Sequence, residues 1–145
     1  MTLTLPMNPN GTLKRQETFD LGVAAILAQG TCSARMATAE DEGVTLGNVL
    51  CMYRGPDGAK CFAGHFVPDA EYDPVIENKF AHTIFARLSG TDQRFMDDLQ
   101  RLHDYAARED LPEGGYRLVT GDEFIKQFTK HIARFAKDNE LTLTI

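Results

Sequence analysis

Cys51, Cys61 and His65 lie close together in the chain, and strand alternation would turn all three to one face. Thiolates and imidazoles in a tetrahedral array bind zinc, and Cys32, His82 or His103 could complete such a set. The spacing argues against a site. There is no Cys-x-x-Cys pair, and nine residues separate Cys51 from Cys61. Free cysteine commonly packs as a small hydrophobe. No metal and no other cofactor is expected. A thiol nucleophile is the second chemistry in view. Cys61 with His103 and Asp104 has the residue types of a Cys-His-acid set. Adjacent helical residues point about 100° apart, however, so Asp104 is badly placed to orient that imidazole. His103 follows Leu99 by four residues, the position of a structural histidine at the edge of an apolar stripe. A Cys51–Cys61 disulfide fits poorly, because diagonal positions in a regular ladder are too far apart or badly angled. Arg54 to Lys60 holds two glycines between two cations but lacks the Walker spacing, and a turn accounts for its glycines.

These residues need a scaffold. Val49 to Arg54 and Lys60 to Val67 flank Gly55-Pro56-Asp57-Gly58, a strong turn sequence, which predicts a hairpin with Tyr53 opposite Cys61 and Cys51 opposite Ala63. Phe19, Val23, Ile26 and Leu27 predict a helix capped by Thr12 and ended by Gly30. A short helix through Phe80 to Leu88 follows, ending at Gly90. Thr91 then caps a helix with the stripe Phe95, Leu99, Leu102 and Ala106. Tyr116 to Val119 reads as a short strand. Thr120-Gly121-Asp122-Glu123 has the form of a capping box before the stripe Phe124, Phe128, Ile132 and Phe135. The two ends, Thr2 to Leu5 and Leu141 to Ile145, both alternate, so either could add a strand or pair with a second copy. The expected fold is α+β, a small antiparallel sheet around a β-hairpin packed by three or four helices. It forms one domain over residues 1–145, with residues 1–11 a strand or loose arm.

The composition sets further limits. With 43% hydrophobic and 25% charged residues the chain is ordinary globular protein rather than disordered. No stretch approaches the ~18 apolar residues of a membrane span, and the N-terminus does not read as a secretory signal. Three cysteines cannot form a full disulfide framework, which fits a reducing cytoplasm. A net charge of −6 argues against direct nucleic-acid binding.

Cys51-Met52-Tyr53-Arg54-Gly55-Pro56-Asp57-Gly58-Ala59-Lys60-Cys61-Phe62-Ala63-Gly64, followed by Val67-Pro68-Asp69 and Tyr72-Asp73-Pro74, resembles a pattern in small uncharacterised proteins of bacteriophages, prophages and bacteria. In that family the first block runs Cys-x-Tyr-Arg-x-x-x-Gly-x-Lys-Cys, and a Leu-Gln-x-x-His-Asp helix lies downstream, here Leu99 to Asp104. The chain departs from the pattern at His65 and at Phe62. The resemblance implies a phage-type accessory protein in the cytoplasm of a bacterial host, and it implies no catalytic activity.

The leading expectation is therefore a non-enzymatic protein that binds a host or phage protein or complex, as an inhibitor of a host defence or nucleic-acid-processing assembly. Its expected contact surface is the hairpin and the loop after it: Tyr53, Arg54, Asp57, Lys60, Asp69, Tyr72 and Asp73. A small metal-binding or cysteine-dependent enzyme using Cys51, Cys61 and His103 is the first alternative. An assembly protein made homo-oligomeric by its alternating ends is the second.

Overall fold

The computed structural model describes residues 2–145; Met1, part of the expected N-terminal arm, lies outside them. Helix α1, Arg15–Gln29, buries Phe19, Val23 and Ile26. Its end is the expected one, since Gly30 takes φ 77° and donates its N–H to Ile26 C=O. Its start is not at Thr12. That hydroxyl bonds Asn10 and Asn8 instead. The first turn of α1 is held from outside: buried Asp92 accepts the Leu13 N–H at 2.9 Å and pairs with Arg15 at 3.0 Å. Gly22 sits in mid-helix because a side chain there would meet the Phe62 ring at 2.2 Å.

Strands β1, Ala34–Met36, and β2, Val49–Cys51, pair antiparallel with Ala34 opposite Cys51. The expected hairpin between 49–54 and 60–67 does not form. The turn itself does, with Asp57 and Gly58 both at positive φ and Gly55 N–H donating to Ala59 C=O at 2.8 Å. Beyond it Ala63–Phe66 coils into a buried 3₁₀ turn. Two contacts draw it inward. Gln100, from a helix further along the chain, accepts the Ala63 N–H at 2.8 Å, and Gly64 lies so close to the Tyr53 carbonyl that a Cβ would stand 2.1 Å from its oxygen. Cys51 and Cys61 are consequently not ladder neighbours, and His65 does not join them on a strand face.

A hairpin does form later, between β3, Arg108–Asp110, and β4, Tyr116–Leu118, with Gly114 and Gly115 at positive φ in its loop. Helix α2, Ala81–Ile84, is one turn long. Helix α3, Gly90–Ala106, is capped by Ser89, whose hydroxyl accepts the Asp92 N–H, and not by Thr91. Helix α4, Gly121–Asp138, begins after Thr120, but the Thr120 side chain makes no cap bond. Glu123 turns to Arg117 instead, at 2.5 Å, so the capping box is absent. The helix holds because Phe124, Phe128, Ile132 and Ala136 are buried along one stripe.

Among the described residues the result is an α+β fold of four helices and two two-stranded antiparallel sheets. Phe19 and Phe95 both pack against Phe135, and Phe124 stacks on Phe128. Among the described residues neither end forms a strand. Leu3 N–H donates to His65 C=O, and Gln16 brackets Thr142 with bonds of 2.8 and 2.9 Å. Among the described residues no helix is long and apolar enough to cross a membrane.

Candidate functional site

Gln100, His103 and Asp104 share one face of α3 because they stand three and four residues apart. His103 is fully buried, and its Nε2 accepts the Ser33 backbone N–H at 2.9 Å just before β1. A neutral ring nitrogen that accepts carries no proton, so the ring proton sits on Nδ1. Nδ1–H donates to Asp104 Oδ1 at 3.0 Å. Asp104 thus does orient the imidazole, contrary to the expectation from helical geometry. The 100° angle separates backbone-to-side-chain directions, and the torsions of both side chains close that gap once Ser33 pins the far side of the ring. Gln100 Nε2 donates to the same Asp104 oxygen at 2.8 Å, while its Oε1 holds Ala63.

Cys51 on β2 joins this group, and Cys51, His103 and Asp104 offer ligand atoms within 4.8 Å of one another. The donor set nevertheless does not suit a cation. Ligation through Nδ1 would expel its proton, and a neutral ring would then carry that proton on Nε2, facing the Ser33 N–H. Two donors would oppose each other in a buried place, where an unmade hydrogen bond costs about 1–3 kcal/mol. The same tautomer disarms the thiols. Nδ1 already holds a proton and cannot take one from Cys51. Burial, and then the Asp104 carboxylate, push the Cys51 thiol well above its ordinary range. Burial likewise raises Cys61, which is fully enclosed, and Cys32. A nucleophilic cysteine needs the opposite setting, with a nearby cation or free base lowering its pKa.

Of the residues expected to form a contact surface, only Tyr53 is buried; Arg54, Lys60 and Tyr72 are half-buried, and Asp57, Asp69 and Asp73 are exposed. Tyr53 is only 6% exposed, and its hydroxyl donates to the Lys79 carbonyl. Burial pushes that phenol far above its usual value. Arg54 pairs with Asp69 at 2.6 Å, donates to Val67 C=O and lies over the Tyr72 ring at 4.4 Å. Glu77, which sequence reasoning passed over, ties the clasp together. It accepts the backbone N–H groups of Tyr53 and Arg54 and the Tyr72 hydroxyl. Asp73 caps the turn at Val75, Asp57 is exposed on its tight turn, and Lys60 is half-buried with its backbone bonded to Gln29.

An open cleft of about 320 Å³ lies between the face of α3, strand β2 and residues 78–81. Cys51, Cys61, Gln100 and Asp104 line it together with Phe80 and Tyr105. Phe80 is 70% and Tyr105 50% exposed. Phe80 stacks on His82, whose ring and backbone N–H both bond Asp97. Arg108 lies over the Tyr105 and Tyr116 rings, 5.3 and 4.6 Å from their centroids. Arg108 and Lys79 line the same cleft, and neither forms an ion pair with a described carboxylate. Phe80 escaped sequence reasoning because it falls at the start of an expected apolar stripe, where an aromatic reads as core. Tyr105 sits beside Ala106 with no feature of its own.

Fold and site define a small α+β protein with an open, aromatic-rimmed cleft above a closed polar cluster. Against protein-family models, curated proteins and solved structures, the chain matches none.

Proposed function

We propose that this chain is a non-enzymatic accessory protein, of the phage type its sequence resembles, that acts by binding another protein. The observation that carries this reading is the pair of exposed aromatics, Phe80 and Tyr105, on the rim of a cleft that also offers two unpaired cations. Exposed aromatic and Arg side chains around a concavity are the groups that dominate protein–protein contacts. The thiols beneath them are held protonated, and the histidine beside Cys51 has both ring nitrogens engaged, which favours binding over catalysis. The contact surface in this proposal is the cleft, since Tyr53, Arg54 and Tyr72 are spent on the clasp around Glu77. A host defence or nucleic-acid-processing complex is the class of target the resemblance suggests.

Affinity capture from bacterial host lysates, with the wild type and a Phe80→Ala/Tyr105→Ala variant side by side, tests this. Both side chains are exposed, so the variant keeps its fold, which circular dichroism checks. A stoichiometric partner retained by the wild type and lost by the variant is the expected outcome. A partner held equally by both sinks the cleft assignment, and no partner from several hosts sinks the binding reading.

A further inference from the structure

Asp104 stands in the last turn of α3, which ends at Ala106. Backbone carbonyls make that end of a helix negative, so a carboxylate there is disfavoured unless a cation joins it. Among the described residues none does. Asp104 Oδ1 accepts from Gln100 and from the neutral His103 ring, which fix its position and leave its charge in place. Its Oδ2 accepts no bond from a described residue. The side chain is half-buried on the lining of the cleft. Arg108 follows four residues later, a spacing at which opposite charges pair along a continuing helix. The helix has ended by then, and Arg108 lies over the Tyr105 and Tyr116 rings instead. Lys79 is a second cation on this lining without an ion pair to a described carboxylate. The other two charged groups there are engaged, Arg101 by Asp98 and both Asp97 oxygens by His82. The cleft thus presents a carboxylate and two cations that do not pair with one another, beside two exposed aromatic rings.

We propose that this cleft binds a free α-amino acid with a large apolar side chain. The ammonium group meets Asp104 and the negative end of α3. The carboxylate meets Arg108, with Lys79 on the same lining. The side chain packs on Phe80 and Tyr105. An anion alone would face Asp104 as a like charge, and a cation alone would face Lys79 and Arg108, whereas a zwitterion finds an opposite charge for each of its own. The volume of about 320 Å³ falls at the lower end of small-molecule sites, the size class of such a ligand. Hydrogen bonds hold Asp104 and two aromatic rings hold Arg108 before any ligand arrives, which lowers the ordering cost of binding. Amino-acid binding goes beyond the protein-binding reading and does not depend on it, although both draw on the Phe80 and Tyr105 rings.

The test is isothermal titration calorimetry of the full chain with L-phenylalanine and with L-leucine. Saturable binding with a Kd below about 1 mM is expected for at least one of them. Phenethylamine lacks the carboxylate and 3-phenylpropanoate lacks the ammonium, and each should bind at least about tenfold more weakly than L-phenylalanine. Asp104→Asn keeps an oxygen that accepts from His103 and Gln100 while removing the charge, so it should keep its fold by circular dichroism and lose affinity about tenfold. Arg108→Gln should lose affinity by a similar factor from the other side of the ligand. No binding by either amino acid, equal binding by either analogue, or full affinity in either variant overturns the proposal. A partner captured from lysate through Phe80 and Tyr105 while neither amino acid binds overturns the ligand site and leaves the protein-binding function standing. Amino-acid binding that meets these criteria, with no partner from any host, supports the ligand site while the protein-binding reading falls alone.

Discussion

The polar cluster around His103 and the cleft above it share residues, yet they differ in one respect. In the cluster the buried polar side chains are spent. His103 uses both ring nitrogens, and Gln100 uses both ends of its amide. In the cleft, groups are left over: two exposed aromatics and two cations. Residue types that do chemistry elsewhere are here used to hold the fold, because a buried polar group that is fully bonded has nothing left to offer a ligand. The proposed binding surface is made of residues that look unremarkable one by one.

Breaking the cluster should therefore cost stability. His103→Leu leaves the Ser33 N–H without its acceptor in a buried place and removes the bond to Asp104. We expect a loss of about 3 kcal/mol in urea denaturation. Full stability in this variant would mean that the cluster is not structural, and the division between the two regions would collapse.

The second test is pH. His65 is 9% exposed, its Nε2 has no partner, and burial, helped by Lys60 and His103, lowers its pKa to about 4. The unfolded chain takes up this proton near pH 6.5 and the folded chain only near 4. Between those values the unfolded state binds more protons, so stability falls as pH drops from about 6.5 and levels off below about 4. The full effect is about 3 kcal/mol. His65→Leu should flatten this part of the pH profile, and the difference from wild type isolates His65 from the carboxylates. Parallel profiles would show that His65 gains a partner in solution.

Helix caps give a smaller and sharper contrast. Ser89→Ala removes a real cap bond and should cost about 1 kcal/mol, whereas Thr120→Ala should cost less than about 0.5 kcal/mol. Equal losses would restore the capping box at α4. Smallest of all, Phe80→Ala should shift stability by no more than about 0.5 kcal/mol, since its ring is mostly exposed. A large drop in Tm would make Phe80 part of the core and remove it from the binding surface.

Three helices and the Gly55–Gly58 turn were legible in the sequence, because each rests on local rules. Apolar residues at a period of 3.6 specify α1, α3 and α4, and Gly30 at the end of α1 supplies a conformation that other residues resist. Positive φ was read correctly at Gly58, and so was the α+β class, whereas the positive φ at Asp57 was not foreseen. The segment after the turn was misread as a strand, because alternation over Cys61 to Phe66 carries no information about the Gln100 amide 37 positions away that captures Ala63.

The site was least legible of all. The sequence by itself determined which residues could form helices, where the chain must turn and how many thiols and imidazoles were present. Tertiary structure decided their state. Ser33 reaches His103 across 70 positions and thereby chooses its tautomer, which removes both the base and the metal ligand that the residue types had offered. Burial beneath α3 keeps the Cys51 and Cys61 protons in place. The cleft exists only because β2, α3 and residues 78–81 meet. Hydrogen-bond saturation and desolvation are properties of surroundings, and the surroundings of a side chain are assembled from residues far away in the chain.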